Sequence, residues 1–155
     1  MKVKLPRYLT KSRFKLAVEC PTKLFYSGKP KEYRDTMQEN AFMAMLAEGG
    51  YQVRALAKLR YPDGIEIEDK KHAEAYAKTL EYLKRDNVVL FEPAILVGHF
   101  FIRIDILIKQ GNRFELIEVK AKSYDSMNPS IEGARGGITS GMLPYLQDAA
   151  FQTWV

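Results

Sequence analysis

The chain has 155 residues, 46% of them apolar and 28% charged, with a formal net charge of +5 at neutral pH. Those proportions suit one globular domain with a buried core, and no apolar run approaches the roughly 18 residues that a membrane span requires. The basic start, Met1 to Arg7, leads into no apolar stretch of the secretory kind, and the single cysteine, Cys20, excludes an internal disulfide and suits a reducing cytoplasm. A positive balance of this size is compatible with a polyanionic partner, and it also serves solubility.

Leu9 to Cys20 is predicted as a short amphipathic helix capped by Thr10 or Ser12, with Phe14, Leu16, Ala17 and Val18 supplying apolar surface. Pro21 begins a second turn through Leu24, Phe25 and Tyr26, and Ser27-Gly28-Lys29-Pro30 reads as a turn or linker. Glu32 to Glu48 has helical periodicity through Met37, Ala41, Ala44, Met45 and Leu46, and Gly49-Gly50 is expected to break or cap it. Tyr51 to Leu59 is a further short helix, closed by the turn Tyr61-Pro62-Asp63-Gly64. His72 to Lys84 is the next helix, with an apolar stripe of Ala73, Tyr76, Ala77, Leu80 and Leu83.

The period then changes to that of strands. Val88 to Phe91 is a short apolar run. Ala94 to Val97, Gly98-His99 and Phe100 to Ile108 form a predicted hairpin, and Phe114 to Ala121 follows a turn at Gln110-Gly111-Asn112. Three or so antiparallel strands thus follow a helical N-terminal half. Lys122 to Leu143 holds Pro129, Gly133, Gly136, Gly137 and Gly141 with few apolar residues, and reads as a functional loop or a stretch without fixed structure. Pro144 stands where a helix can start, and Tyr145 to Val155 reads as helix. Because the pattern stops at Trp154-Val155 without a cap, the chain is expected to be a fragment of a longer protein. The fold expected is a mixed α/β (α+β) domain over residues 1–155, a small mixed sheet with flanking helices.

The segment richest in chemistry is Arg103 to Lys109, a turn, then Phe114 to Lys120. Side chains alternate faces along a strand, so Glu118 and Lys120 share one face while Val119 points into apolar packing. Asp105, between Ile104 and Ile106, is a carboxylate inside an apolar strand, which is costly unless compensated. A divalent cation is a natural compensator for Asp105 and Glu118 together, because Mg²⁺ takes hard oxygen ligands and one or two carboxylates, and the Val119 carbonyl offers another oxygen. Lys120 would stand beside the attacking water, orient it or help deprotonate it, and offset charge on a phosphate. The alternative is plain ion pairing, Asp105 with Arg103 or Lys120 and Glu118 with Lys122. A second acid-any-Lys triplet, Glu68-Asp69-Lys70, lies in a charged stretch without an apolar strand and is assigned no function.

Asp105 with Glu118-Val119-Lys120 resembles the active-site signature of the PD-(D/E)XK nuclease superfamily, and the whole chain is similar to the RecB-like nuclease domains of a bacterial group. Leu9-Thr-Lys-Ser-Arg-Phe14 with Cys20-Pro-Thr-Lys-Leu-Phe-Tyr26 resembles the group's N-terminal Ser and Cys-Pro helix. Gly50-Tyr-Gln-Val53 with Leu56-Ala-Lys58, Val89-Leu-Phe-Glu-Pro93 and Tyr145 to Gln152 resemble later blocks. The resemblance implies a restriction-endonuclease-like core, Mg²⁺ or Mn²⁺ held by Asp105 and Glu118, Lys120 as catalytic lysine, and Gln152 as the glutamine of a Gln-x-x-x-Tyr motif. It offers Glu92 as a further acid and Glu48 as a weaker one; as plain residues, Glu92 starts a strand and Glu48 solvates a helix end. Tyr145, Asp148 and Gln152 fall on one helical face.

Two features depart from the pattern. Many RecB-like nucleases use a helix histidine as a metal ligand, whereas Arg54 stands at that spacing here. His72 is expected to cap or solvate a helix, and His99 to sit in an exposed turn. Cys20 resembles the first ligand of the iron–sulfur cluster of some relatives; three further cysteines would have to come from a longer protein, and here Cys20 is expected to be a helix-end core residue. The functions in competition are a DNA nuclease of the cytoplasm, a non-catalytic nucleic-acid-binding module, and an interaction domain for other domains of a longer protein.

Overall fold

The computed structural model describes residues 7–29, 31–33, 41–123, 126–127, 131–133 and 135–155, with no description of the side chains of 41–43. The architecture is mixed α/β, as expected. Its elements are β1 (Leu9–Thr10), α1 (Lys11–Glu19), α2 (Pro21–Tyr26), α3 (Ala41–Lys58), β2 (Ile65–Glu66), α4 (His72–Tyr82), β3 (Asn87–Phe91), β4 (Ala94–Val97), β5 (Phe100–Arg103), β6 (Ile106–Gln110), β7 (Arg113–Ile117) and α5 (Leu143–Trp154). The strands form one sheet in the order β1-β5-β4 and another in the order β2-β3-β6-β7.

One bent hairpin joins the two sheets. β3 pairs antiparallel with β6, ending at Phe91 opposite Ile106, and β4 pairs antiparallel with β5, beginning at Ala94 opposite Arg103. Glu92-Pro93 therefore lies across from Ile104-Asp105, with no residue inserted on either strand. Glu92 adopts a left-handed φ of 53°, and Pro93 has no N–H to give. The ladder keeps two bonds here, Glu92 N–H to the Asp105 carbonyl at 3.2 Å and Ile104 N–H to the Pro93 carbonyl at 3.1 Å. The hairpin bends at this point, and its halves enter different sheets.

Packing follows the bend. Phe101, Ala94, Ala75 and Ile67 form one buried cluster beside α4. Ile102, Ile104 and Leu107 form another with Phe151 of α5. Strict alternation would turn Leu107 away from Ile102 and Ile104, so the alternation changes phase across Asp105. Phe14 of α1 stacks on Phe151 with ring centroids 4.3 Å apart, worth about 0.5–1.5 kcal/mol beyond the area buried.

Several expectations need correction. Gly49-Gly50 neither breaks nor caps a helix, because α3 runs through both; glycine costs about 1 kcal/mol in a helix without forbidding it. Residues 31–33 form a turn, and the rest of the helix expected from Glu32, including Met37, lies outside the described residues until Ala41. Leu9 and Thr10 belong to a strand, and Thr10 caps α1 by accepting from the Arg13 N–H. The strand predicted from Phe100 to Ile108 is divided at Asp105, and that from Phe114 stops at Ile117, short of Glu118. The sheets are not wholly antiparallel, since β1 runs parallel to β5 and β2 parallel to β3. Two-residue strands carry no period, which is why β1 and β2 escaped prediction. Within 122–143 the described residues are not structureless, because Glu132 bridges Ile138 across Gly136-Gly137. Cys20 is only partly buried, an extended link between α1 and α2 and not a core residue.

Gly64 closes the turn that launches β2, and a Cβ there would overlap the buried Phe91 ring. Gly64→Ala should therefore cost roughly 1–3 kcal/mol of stability through overpacking. Urea denaturation measures it; a variant as stable as the parent would contradict the packing.

Candidate functional site

The bend gathers the predicted acids. Ile106 is opposite Ile117, so one further step of the register sets Glu118 opposite Asp105, as Glu92 is on the other side. The three carboxyl groups thus belong to one cross-strand row. β7 stops because its partner strand bends away, and the side chain of Asp105 takes over as acceptor: its Oδ2 receives the Val119 N–H at 2.8 Å. Glu118 and Lys120 therefore lie past the strand end, in a segment tied to Asp105 through Val119.

Cationic side chains stand among these acids. Lys11 Nζ donates to both oxygens of Glu118, at 3.0 and 3.1 Å. Arg54 Nη1 is 3.1 Å from Glu92 Oε1 and 3.7 Å from Asp105 Oδ1. Lys120 Nζ donates to Glu118 Oε1 and, at 2.9 Å, to Asp148 Oδ2. Gln152 donates from Nε2 to Glu118 Oε2 at 2.9 Å, while its Oε1 is buried without a hydrogen-bond partner. Asp148 is 0% and Gln152 3% exposed, and the Tyr145 ring lies 6.0 Å from Lys120 Nζ. The face of α5 defined by Tyr145, Asp148 and Gln152 is therefore turned to Glu118 and Lys120. Neither of the simple pairings, Asp105 with Arg103 or Glu118 with Lys122, is made: Arg103 donates to the Ile67 and Asp69 carbonyls, and Lys122 to that of Gly141.

Four carboxyl groups thus meet three cations. Asp105 is 6% exposed, and burial pushes its pKa up, helped by the nearby Glu118 charge and opposed by the Val119 N–H, Lys11 and Arg54. Burial also pushes Glu118 up, but the bonds from Lys120, Gln152 and Lys11 outweigh it and hold the group below its ordinary range. Burial lowers Lys120, yet Glu118 and Asp148 more than offset this, so it remains a cation around neutrality.

The donor set fits a hard divalent cation. It consists of oxygens, Asp105 Oδ1 is free of the N–H bond that occupies Oδ2, and the buried Asp105 is undercompensated. Among the described residues no three Asp, Glu, His or Cys side chains form a ready-made metal cluster; Lys11 and Arg54 lie between the carboxylates instead. Glu48 is exposed on α3 and His99 in its turn, while the His72 ring packs 3.9 Å from that of Phe101 instead of only meeting solvent.

Sequence reasoning passed over Lys11 and gave Arg54 no partner. Lys11 had a signal. It occupies the first helical position of α1, where the helix dipole disfavours a cation by about 0.3–1 kcal/mol, which a carboxylate partner offsets.

Two measurements test these electrostatics. Asp105→Asn keeps an acceptor for the Val119 N–H and removes the charge that burial disfavours, so in chelator it should raise the melting temperature by roughly 2–4 °C; a fall would show that Asp105 is well compensated. Glu118 is held low, so its charge stabilises the fold at neutral pH and that contribution disappears as the pH falls through its depressed pKa. Glu118→Gln should therefore destabilise at pH 7, with the deficit shrinking below the ordinary glutamate value of 4.5; denaturation across pH reads it, and a constant deficit would contradict it. Compared with known proteins, the chain matches no family, and no curated protein or solved structure proved similar to it.

Proposed function

We propose that the chain is a metal-dependent nuclease of the PD-(D/E)XK type, acting on DNA in the cytoplasm. The observation that carries the reading is the row Glu92, Asp105, Glu118 at the sheet bend, with Lys120 and Gln152 bonded to its last member. Asp105 and Glu118, with Glu92 and the Val119 carbonyl beside them, would hold Mg²⁺ or Mn²⁺. When bound, that ion supplies Lewis-acid polarisation of the phosphate and a nucleophilic water at neutral pH. Val119 N–H holds the Asp105 carboxylate, and Gln152 holds that of Glu118. Lys120, held between Glu118 and Asp148, would orient the attacking water and offset charge building on the phosphate oxygens, as preorganised cations do in sites of this kind.

A second reading, a nucleic-acid-binding module without hydrolysis, is favoured by the ion pairs of Lys11 and Arg54, which already neutralise the acids. The readings separate in one assay. With end-labelled single-stranded DNA and Mn²⁺, Asp105→Ala and Glu118→Ala should abolish cleavage, and Lys120→Met should lower it on the order of 100-fold. Salt-sensitive binding without turnover in the wild-type chain would leave the binding module. Cleavage by the Asp105 and Glu118 variants at the wild-type rate would remove this site from the chemistry.

A further inference from the structure

The cations beside the acids stand where a bound strand and a metal ion would meet. Lys11 Nζ spans both oxygens of Glu118, and Arg54 Nη1 reaches Glu92 and Asp105. Both residues line one cleft of about 300 Å³, together with Thr10, Ser12, Glu92, Arg103 and Asp105. An oxygen that ligates a divalent cation lies about 2.1 Å from it for Mg²⁺. Glu118 Oε1 accepts from Lys11 and Lys120 and Oε2 from Lys11 and Gln152, so an ion takes either oxygen only where a donor gives way, and Lys11, which spans both, is the donor whose departure opens both. Arg54, bonded to Glu92 and 3.7 Å from Asp105 Oδ1, leaves that oxygen open but sets a like charge against a cation there.

Yielding is costly without a second partner. The Lys11 and Arg54 side chains are 25% and 33% exposed, so moving the carboxylates' charge to a metal leaves two half-buried cations unpaired. An anion in the cleft restores the balance, and a guanidinium with a neighbouring ammonium matches phosphate chemistry. The N-terminus of α1, capped by Thr10, faces the same cleft and favours negative charge.

We propose that Lys11 and Arg54 are exchange residues, paired with Glu118, Glu92 and Asp105 in the free protein and transferred to the phosphates of a bound strand when a divalent ion takes the carboxylates. Metal and strand then bind with positive coupling, and each raises the affinity for the other by the same factor. Without the strand the two side chains act as intramolecular competitors of the ion, which keeps the centre poorly charged until substrate arrives. This inference rests on the metal-dependent nuclease reading.

Calorimetric titration of the full chain with Mn²⁺ tests it, with and without a hydrolysis-resistant phosphorothioate single strand. The strand should tighten Mn²⁺ binding to the wild type on the order of tenfold. Lys11→Met and Arg54→Met should bind Mn²⁺ several-fold more tightly than wild type without the strand, and gain less from adding it. Lys11→Gln, which keeps a donor to Glu118 without the charge, serves as the control for folding and should behave as Lys11→Met does. In metal-free buffer Glu118→Gln should bind the strand more tightly than wild type, because Lys11 is released. If Asp105→Ala loses Mn²⁺ while the Lys11 and Arg54 variants bind it no tighter than wild type, the exchange is refuted and the metal centre stands. If the wild type takes up no Mn²⁺ with or without the strand, both readings fall.

Discussion

The bend of the hairpin at Glu92-Pro93 and Ile104-Asp105 is the constraint on which the rest of the structure depends. A flat hairpin of this register would continue as one ladder and hold Asp105 as an ordinary pair member. A left-handed Glu92, which costs of order 1–3 kcal/mol in strain, and a proline without a donor prevent that. The strands turn, one sheet becomes two, and Asp105 falls at the seam, where backbone pairing ends and its side chain becomes the acceptor for the next N–H. The same turn shifts the phase of burial, so that Ile102, Ile104 and Leu107 all reach Phe151. The core and the acidic row are consequences of one local geometry.

The helices around the seam do different work. α5 is held by apolar packing, through Phe151 against Phe14 and the sheet, and this burial supports the polar face that carries Asp148 and Gln152. α1 is fixed by the same stack, and Lys11, one turn before Phe14, is thereby aimed at Glu118. α3 differs from both. None of its described side chains is buried, and it meets the sheet through Arg54 on Glu92 and Asp105 and through Lys58 on Glu66 and over the Phe91 ring. Partly exposed ion pairs contribute little each, so this helix is held more weakly than α1 or α5.

Collecting carboxylates at a seam opposes stability. Burial raises the cost of ionising Asp105, and the neighbouring Glu118 adds to it. The protein offsets this with Lys11, Arg54 and Lys120, each half-buried, and with amide donors from Val119 and Gln152. Conflict between local stability and charge placement is expected where a site does chemistry.

What could be read from the residues alone was what depends on short-range rules. The helix after Thr10, the helices from His72 and around Pro144, the Gly98-His99 hairpin and the mixed α/β class all follow from periodicity, caps and turn chemistry, which act within a few residues. The isolated carboxylate of Asp105 in an apolar run, thirteen residues before Glu118, was likewise visible, because a buried charge conflicts with its neighbours wherever the chain later goes. Tertiary structure decided the rest. Two-residue strands exist only through their partners, the end of β7 at Ile117 is set by a bend in another strand, and a helix crosses Gly49-Gly50 because its environment tolerates the cost. The pairing of Lys11 with Glu118, 107 positions away, is fixed by a stack of two phenylalanine rings, and no pattern along the chain encodes a distance in space.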